Sequence, residues 1–594
     1  MKIVKGVLIY TVLIIGICLV LGMLIVGCMF IFPKFEVFGW KVMHKSNDIV
    51  KDNHSSSLAS GDYTIEIDAG LHAVNVVMFS DGTEYVLVNK YDDMFGFYKG
   101  EYNNEVKFEY SANNKITISL GSVDGAVLPR KSRIDVYLPH SHEYDLIIRT
   151  TSGDININGA SSQDSVDQLK VKSLDITTTS GDFAWSNVRS TIFKVGNNDL
   201  YGHSIVDSID TKAEGFNKNA YKRFVFLNSL KAKTNTGKFD FSVKNDDVGV
   251  AAIAPTVIGN RNFSDVLTMN ESNFNNWKKT VLTSEPIKFY FEAGRGEFNF
   301  TDIVSYGGLS LNFVGQDVLV KAGKITVAPS KILETEGVNN QKTFSFYFNA
   351  PNGFFDIKEL SATLSTIITN NIDIKLENVT GELSVTTTYG NIEIGEISHN
   401  ASLSSTHGNI TVKNTSENII AISEYGNITV NSYSGGGYLK NRHGKITANF
   451  NKEWYNENKS SIIVDEYPMP MEMVSEDGSI TANNLVFETI IQTTAGGTIN
   501  ANFMEMYKAA SASDVINHKI TLNGGRANVT VPNTQAFWFK GTGSISGSVG
   551  SVPMTATEDF VTILTPNNEE EKEVIARLEV KTTSGSINFK TATV

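Results

Sequence analysis

At 594 residues the chain is far beyond the length at which a single apolar core stops growing, so more than one core-bearing segment is expected. Its 48 Gly stand against 12 Pro, with many Asn, Ser, Thr, Ile and Val and few Ala/Leu/Glu/Lys stretches, which points to an all-β protein rather than a helical one. With 64 acidic and 51 basic residues the formal net charge is −13, and no stretch sets Lys and Arg among aromatics; this argues against nucleic acid as a partner, because phosphate binding needs a basic footprint.

After a short tail (1–5) with Lys2 and Lys5, residues 6–33 carry no charge and are dominated by Val, Leu, Ile, Met and Phe. That exceeds the roughly 20 residues needed to cross a bilayer, and a helix is the form that satisfies its own backbone in lipid. The segment is read as a transmembrane anchor. Lys34, Lys41 and Lys45 follow it as closely as Lys2 and Lys5 precede it, so basic residues do not fix the orientation. A large domain is translocated largely regardless of charge, and the expected placement is a single-pass cell-membrane protein with its large domain extracytoplasmic. Both cysteines, Cys18 and Cys28, lie inside the anchor, which leaves the rest of the chain free of thiols and compatible with an oxidising exterior. Ile25 to Cys28, "IVGC", resembles a lipoprotein cleavage motif, so lipidation of Cys28 is the alternative anchor. The apolar run nevertheless continues through "MFIFP" where a mature lipoprotein would turn polar.

Residues 34–61 read as a juxtamembrane linker, with Phe35, Phe38 and Trp40 suited to the interface. Residues 62–145 form a β-rich lead-in. "YTIEIDA", "AVNVVMF", "EYVLVNKY", "VKFEYSA", "KITISLG" and "RIDVYLP" alternate apolar and polar residues between turn signals, as in a compact antiparallel unit ending near Pro139. An irregular β-solenoid is expected over 146–300, a second β-rich segment over 301–380, and a regular β-solenoid with inserts over 381–594.

The period carries the fold assignment. Gly390, Gly408, Gly426 and Gly444 recur every 18 residues without insertion or deletion. Two residues after each stands Ile392, Ile410, Ile428 or Ile446; four after stands Ile394, Val412, Val430 or Ala448; thirteen after the first three stand Leu403, Ala421 and Leu439. Positions two apart share one face of a strand. Two short strands per coil cannot bury such faces alone, whereas stacked coils can, which makes this a β-solenoid. Three residues before the glycines stand Thr150, Thr178, Thr234, Thr387, Ser405, Ser423, Asn441, Ser475, Thr493 and Thr582, short polar side chains able to bond a turn backbone or their neighbours in adjacent coils. The glycine itself is expected at a corner of positive φ. The longest inserts fall at 260–280, 451–473 and 504–515, and short helices are expected there.

"RIDVYLPHSHEYDLIIRTTSGDININ", Arg133 to Asn158, together with the "TTSG" elements ending at Gly181 and Gly585, resembles the bacterial adhesin domain family, surface β-solenoids with repeated Thr-Thr-Ser-Gly-Asp-Ile elements. The likeness covers most of Asp62 to Val594 and is poor over 260–380. It implies a surface β-solenoid engaged in adhesion, and it supplies no catalytic residues.

Searching the sequence for chemistry yields few candidates. His140 and His142 with Glu143 have ligand types, but a surface turn after Pro139 explains them. Asp154 and Asp182 fall where calcium-binding nonapeptides place an Asp, yet the full Gly-Gly-x-Gly-x-Asp pattern is missing and Asn391, Asn409, Asn427 or Lys445 take the position elsewhere. The methionines of "YPMPMEM" read as packing of an insert. Arg442, beside Lys440 and Lys445, belongs to no acidic or basic cluster recurring across coils, so a polysaccharide-acting enzyme is the third reading and no cofactor, metal or catalytic residue is assigned. What remains is a strip of planar side chains just before the corner glycines, Tyr389, His407, Tyr425 and His443, which at 18-residue spacing reads as an exposed stacking ladder and, alternatively, as a candidate contact for a glycan or envelope polymer. The expectation is a membrane-anchored, non-catalytic surface β-solenoid with adhesin-like binding, with an envelope scaffold as the second reading.

Overall fold

The computed structural model describes residues 2–31, 36–53, 58–59, 61–79, 84–99, 105–121, 124–129, 131–139, 141–158, 170–185, 194–195, 198–199, 222–226, 229–234, 238–243, 250–254, 287–305, 309–327, 343–459, 469–506, 516–533, 535–563 and 576–592. The chain begins with an α-helix, Lys2–Ile31, whose Tyr10–Met29 stretch has a mean hydropathy of 3.0 and is almost wholly exposed. At 1.5 Å per residue it is about 45 Å long, so its length and composition suffice for a membrane span. Beyond it every regular element among the described residues is a strand, with the exception of one short helix, Lys452–Asn458.

The strands stack as a solenoid. Ile374–Thr387 pairs in parallel with Ile392–Ile397 and Ala401–Ser405, and from there the two strands of each coil lie over those of the coil before. The expected columns hold in register: Ile392, Ile410, Ile428 and Ile446 are successive partners, as are Leu403, Ala421 and Leu439. All of these side chains are buried. The first strand of each coil also turns a corner. In Ile410–Thr415 and Ile428–Tyr433 burial alternates and then skips a residue, so Thr415 and Tyr433 point inward with Ile410, Val412, Ile428 and Val430. Tyr433 lies in the core, and burial pushes its phenol pKa well up.

The period survives its inserts. Ile446 pairs next with Ile480, after an insert that contains the expected short helix, then Ile480 with Ile499. Beyond, Ile499 meets Ala527 and Ala527 meets Ile587. The insert at 260–280 lies outside the described residues, and the one at 504–515 is described only to Met506.

The same parallel stacking reaches the other end, which corrects the expectation of an antiparallel unit over the lead-in. Tyr63–Asp68 lies in parallel between Lys115–Leu120 and Glu143–Thr150, and Ala73–Phe79 in parallel between Arg133–Pro139 and Ile155–Asn158. Antiparallel pairing is confined to the flanking strands: Leu87–Lys99 with Trp40–Asn53, Asp124–Pro129 and Arg133–Pro139, and Val106–Ser111 with Lys115–Leu120. Alternation misled here for a physical reason. Parallel sheets usually read as continuous apolar runs because both faces are covered, whereas a solenoid strand keeps one face in water and alternates like an antiparallel one. One apolar cluster runs from Leu58 to Phe589 through the whole stack.

The corners explain the glycines, although not by the expected conformation. Gly390, Gly408, Gly426, Gly444 and Gly478 do not have left-handed φ. They are glycines because the coils touch there. A Cβ on Gly408 would fall 1.9 Å from the Gly390 carbonyl oxygen, one on Gly426 2.0 Å from that of Gly408, and one on Gly478 1.8 Å from that of Gly444. Backbone thus occupies the place of a side chain. Positive φ does occur at the later corners, with Gly497 at 102°, Gly525 at 82° and Gly585 at 140°.

All ten members of the short polar column are buried. Ser405 donates its hydroxyl to the Gly390 carbonyl (3.1 Å) and accepts from the Gly408 N–H (2.9 Å); Ser423 repeats this with Gly408 (3.2 Å) and Gly426 (3.0 Å). Asn441 substitutes its amide, donating to the Gly426 carbonyl at 2.7 Å. Ser405, Ser423 and Asn441 thereby tie each coil to the corner before it.

Candidate functional site

The outer surface of the regular coils is built from side-chain ladders, because residues 18 apart stand one coil apart. Just after the corner glycines the amides chain together. Asp373 accepts from the Asn391 N–H (2.7 Å), Asn391 from the Asn409 N–H (2.9 Å), Asn409 from the Asn427 N–H (2.8 Å), and Asn427 from the Lys445 N–H (2.8 Å). Asp154 does the same work near the other end, accepting from the Asp182 N–H at 2.9 Å. The carboxylates considered for calcium therefore stand in a backbone-capping ladder.

Just before the corner glycines lies the predicted strip. Tyr389 stacks on His407 (ring centroids 4.6 Å apart), His407 on Tyr425 (4.8 Å) and Tyr425 on His443 (5.2 Å), all within 22° of parallel. The rings use their faces on one another, so what solvent reaches along the strip is their edges. Tyr389 and Tyr425 remain about half exposed. His443 closes the strip against Asp477, with Nδ1 3.0 Å from its carboxylate. Beside it runs a charge ladder. Arg442 bonds Glu424 (3.0 Å) on one side and Glu476 (2.9 Å) on the other, and these two acceptors raise its pKa. Arg442 is thus paired across coils, where sequence alone left it beside two lysines.

The other candidates separate. His140 lies outside the described residues. His142 is buried rather than in a surface turn, its Nε2 2.9 Å from Glu84, its Nδ1 3.1 Å from the Gly61 carbonyl, and its ring edge-on to Tyr63 and Tyr144. It is a satisfied core histidine. Met471 and Met473 are buried, but in the inward column of a coil strand beside Gly437 and Leu439 rather than in packing of the insert, while Met469 is exposed. Cys28 sits in the apolar helix and is partly exposed. Among the described residues no group of three or more His, Cys, Asp or Glu could hold a metal ion.

Sequence reading missed one buried ionic cluster, in which His72 Nε2 lies 2.7 Å from Asp92 Oδ1 and Lys90 Nζ 3.4 Å from Asp92 Oδ2. Lys90 and Asp92 sit on the strand Leu87–Lys99 and His72 in the turn before Ala73–Phe79, with no repeat between them, so no spacing announced it.

Comparison with known proteins adds one finding. A family model described as Toastrack DUF4097 matches residues 57–453, most of the chain. No curated protein and no solved structure matches. The match ends within the insert helix, yet the coils continue in register to Thr591.

Proposed function

Taking as premise that this chain belongs to the Toastrack DUF4097 family, we propose that it is a membrane-anchored surface β-solenoid whose large domain lies outside the cytoplasm and binds a glycan or envelope polymer in an adhesin-like manner, without catalysis. The observation that carries this is the in-register repetition of outer side chains, the Tyr389, His407, Tyr425, His443 strip above all, on coils about 4.8 Å apart. Repetition at fixed spacing suits a repeating polymer, because many weak contacts to one chain multiply in affinity. The N-terminal helix supplies the tether. The flanking antiparallel strands at both ends, Val106–Ser111 against Lys115–Leu120 and Thr557–Ile563 against Phe537–Thr542, speak against the scaffold reading, since covered ends resist end-to-end growth.

The test is binding of the full chain, reconstituted in nanodiscs, to whole cells, isolated envelope polymers and a glycan array. Saturable binding weakened by His407→Ala together with Tyr425→Ala supports the reading. Concentration-dependent filaments without binding would favour the scaffold, and release of reducing ends from a bound polysaccharide would show an enzyme.

A further inference from the structure

A second surface feature lies on another corner of the same coils, away from the ring strip. A groove of about 740 Å³ runs across them from Asn378 to the insert helix. One wall is the column Asn378, Glu396, Asn414, successive partners in the parallel ladder. The other is the hydroxyl column Ser398, Ser416, Ser434, whose backbone N–H groups bond the preceding coil at Val379, Ile397 and Thr415. From Asn378 to Phe450 it spans four coil steps, about 19 Å at about 4.8 Å each.

At its far end the hydroxyl column is replaced. Where the next serine would stand, Asn451 bonds the Tyr433 carbonyl and caps the helix Lys452–Asn458, accepting from the Trp454 N–H at 3.0 Å. The insert thereby sets Trp454 as the end wall of the groove, edge-on to Phe450 with ring centroids 6.1 Å apart. Along the floor the polar groups are only partly engaged. Asn414 donates to Glu396 at 3.3 Å and Ser416 donates to the Ser398 carbonyl at 3.1 Å, while the side chains of Asn378, Asn431 and Ser432 have no described partner.

The geometry points to this groove as a binding site for a neutral saccharide chain, which deepens the proposed function and rests on it. Amides and hydroxyls both donate and accept, as a ligand made of hydroxyls demands. An indole at one end offers the flat apolar body on which a pyranose ring packs. A groove open along the solenoid admits a linear chain from either side. The polar lining lacks the excess of Lys and Arg that an acidic polymer would need, holding Lys452 against two carboxylates, Glu396 and Glu453.

The experiment is calorimetric titration of the full chain in nanodiscs with chitohexaose, cellohexaose and maltohexaose, with polygalacturonate as the acidic comparator. Saturable binding of a neutral hexaose is expected, weakened about tenfold, or about 1.4 kcal/mol, by Trp454→Ala and by Asn414→Ala, and unaffected by His407→Ala. Trp454 packs on Phe450, so Asn378→Ala, at an exposed position, provides a second groove variant whose folding is not at issue; its melting temperature should match the parent. Hexaose binding that survives all groove variants but is lost in His407→Ala overturns the groove and leaves the surface-polymer reading in place. Preference for polygalacturonate overturns the neutral class. Failure to bind any saccharide, with whole-cell binding retained, overturns the groove alone, whereas loss of both overturns the groove and the proposed function together.

Discussion

The corners between Gly390 and Gly478 and those at Gly497 and Gly585 occupy the same place in the same solenoid, yet they are made differently. In the first set φ is ordinary, and Gly390, Gly408, Gly426 and Gly478 each give their N–H to a buried Ser or Thr hydroxyl three residues earlier. In the second set φ is positive, and the corresponding hydroxyls of Thr493 and Thr582 are buried without a partner. Turning the corner through the left-handed region takes away the N–H that the column was built to receive. The later coils leave other polar atoms unpartnered too, among them both ring nitrogens of His518 and Nε of Arg577. Ordinary φ and a satisfied hydroxyl thus go together at these corners, and the insert between Gly444 and Gly478 leaves that pairing intact.

That contrast can be broken most severely at the core of the regular coils. Ile410→Asp buries an unpaired carboxylate between Ile392 and Ile428, at a cost above about 4 kcal/mol. The cooperative urea transition should be lost or shifted far down, and an unchanged midpoint would refute the register. Next comes Gly408→Ala. Its Cβ would meet the Gly390 carbonyl at 1.9 Å, so the coils must part, and a loss of about 3 kcal/mol is expected in the same measurement. Native-like stability in that variant would mean the corners are not in contact.

A sharper comparison pairs two small deletions. Ser423→Ala strands the Gly426 N–H and the Gly408 carbonyl and should cost about 2 kcal/mol. Thr582→Val, which replaces an unpartnered hydroxyl by a methyl of the same shape, should be neutral or stabilising. Equal losses in the two variants would erase the distinction between corners.

The smallest effect at neutral pH, and the most selective, concerns His518. Buried against Phe503 with no partner, its imidazole has a pKa pushed down to about 3 by desolvation, against an ordinary value of 6.5. The folded state therefore holds it neutral, and the unfolded state takes up the proton first as pH falls. Its contribution is intact above pH 6.5 and declines by about 1.4 kcal/mol per pH unit between there and pH 3. His518→Leu should match the parent or exceed it at pH 7 and should lose less stability than the parent between pH 7 and pH 4.5. Parallel pH profiles for the two proteins would show that His518 finds a partner or water.

Most of this architecture was legible because its period is strict. Eighteen-residue spacing assigned the inward Ile and Val columns, and recurrence three residues before the glycines marked the Ser/Thr column as bonding the turns; its burial is what the fold adds. Three things were not. Strand direction in the lead-in was hidden because alternation reports a solvated face, not the direction of a neighbour. The reason for Gly408 was hidden because glycine answers both a positive φ and a close backbone approach, and one sequence cannot tell which. The groove was hidden because Trp454 comes from an insert, and only the fold carries that insert to the end of the Ser398, Ser416, Ser434 column. The Tyr389 strip was legible as an exposed stacking ladder from its 18-residue spacing, and the rings do stack.

The strict period also has a genetic meaning. Because core, corner, amide and ring positions all recur together, excising or duplicating a whole coil rejoins each residue to its own kind, and the seam is chemically the same as any other. A gain or loss of one residue within a strand would turn its inward residues outward. The gene for such a molecule can change its reach in steps of one coil.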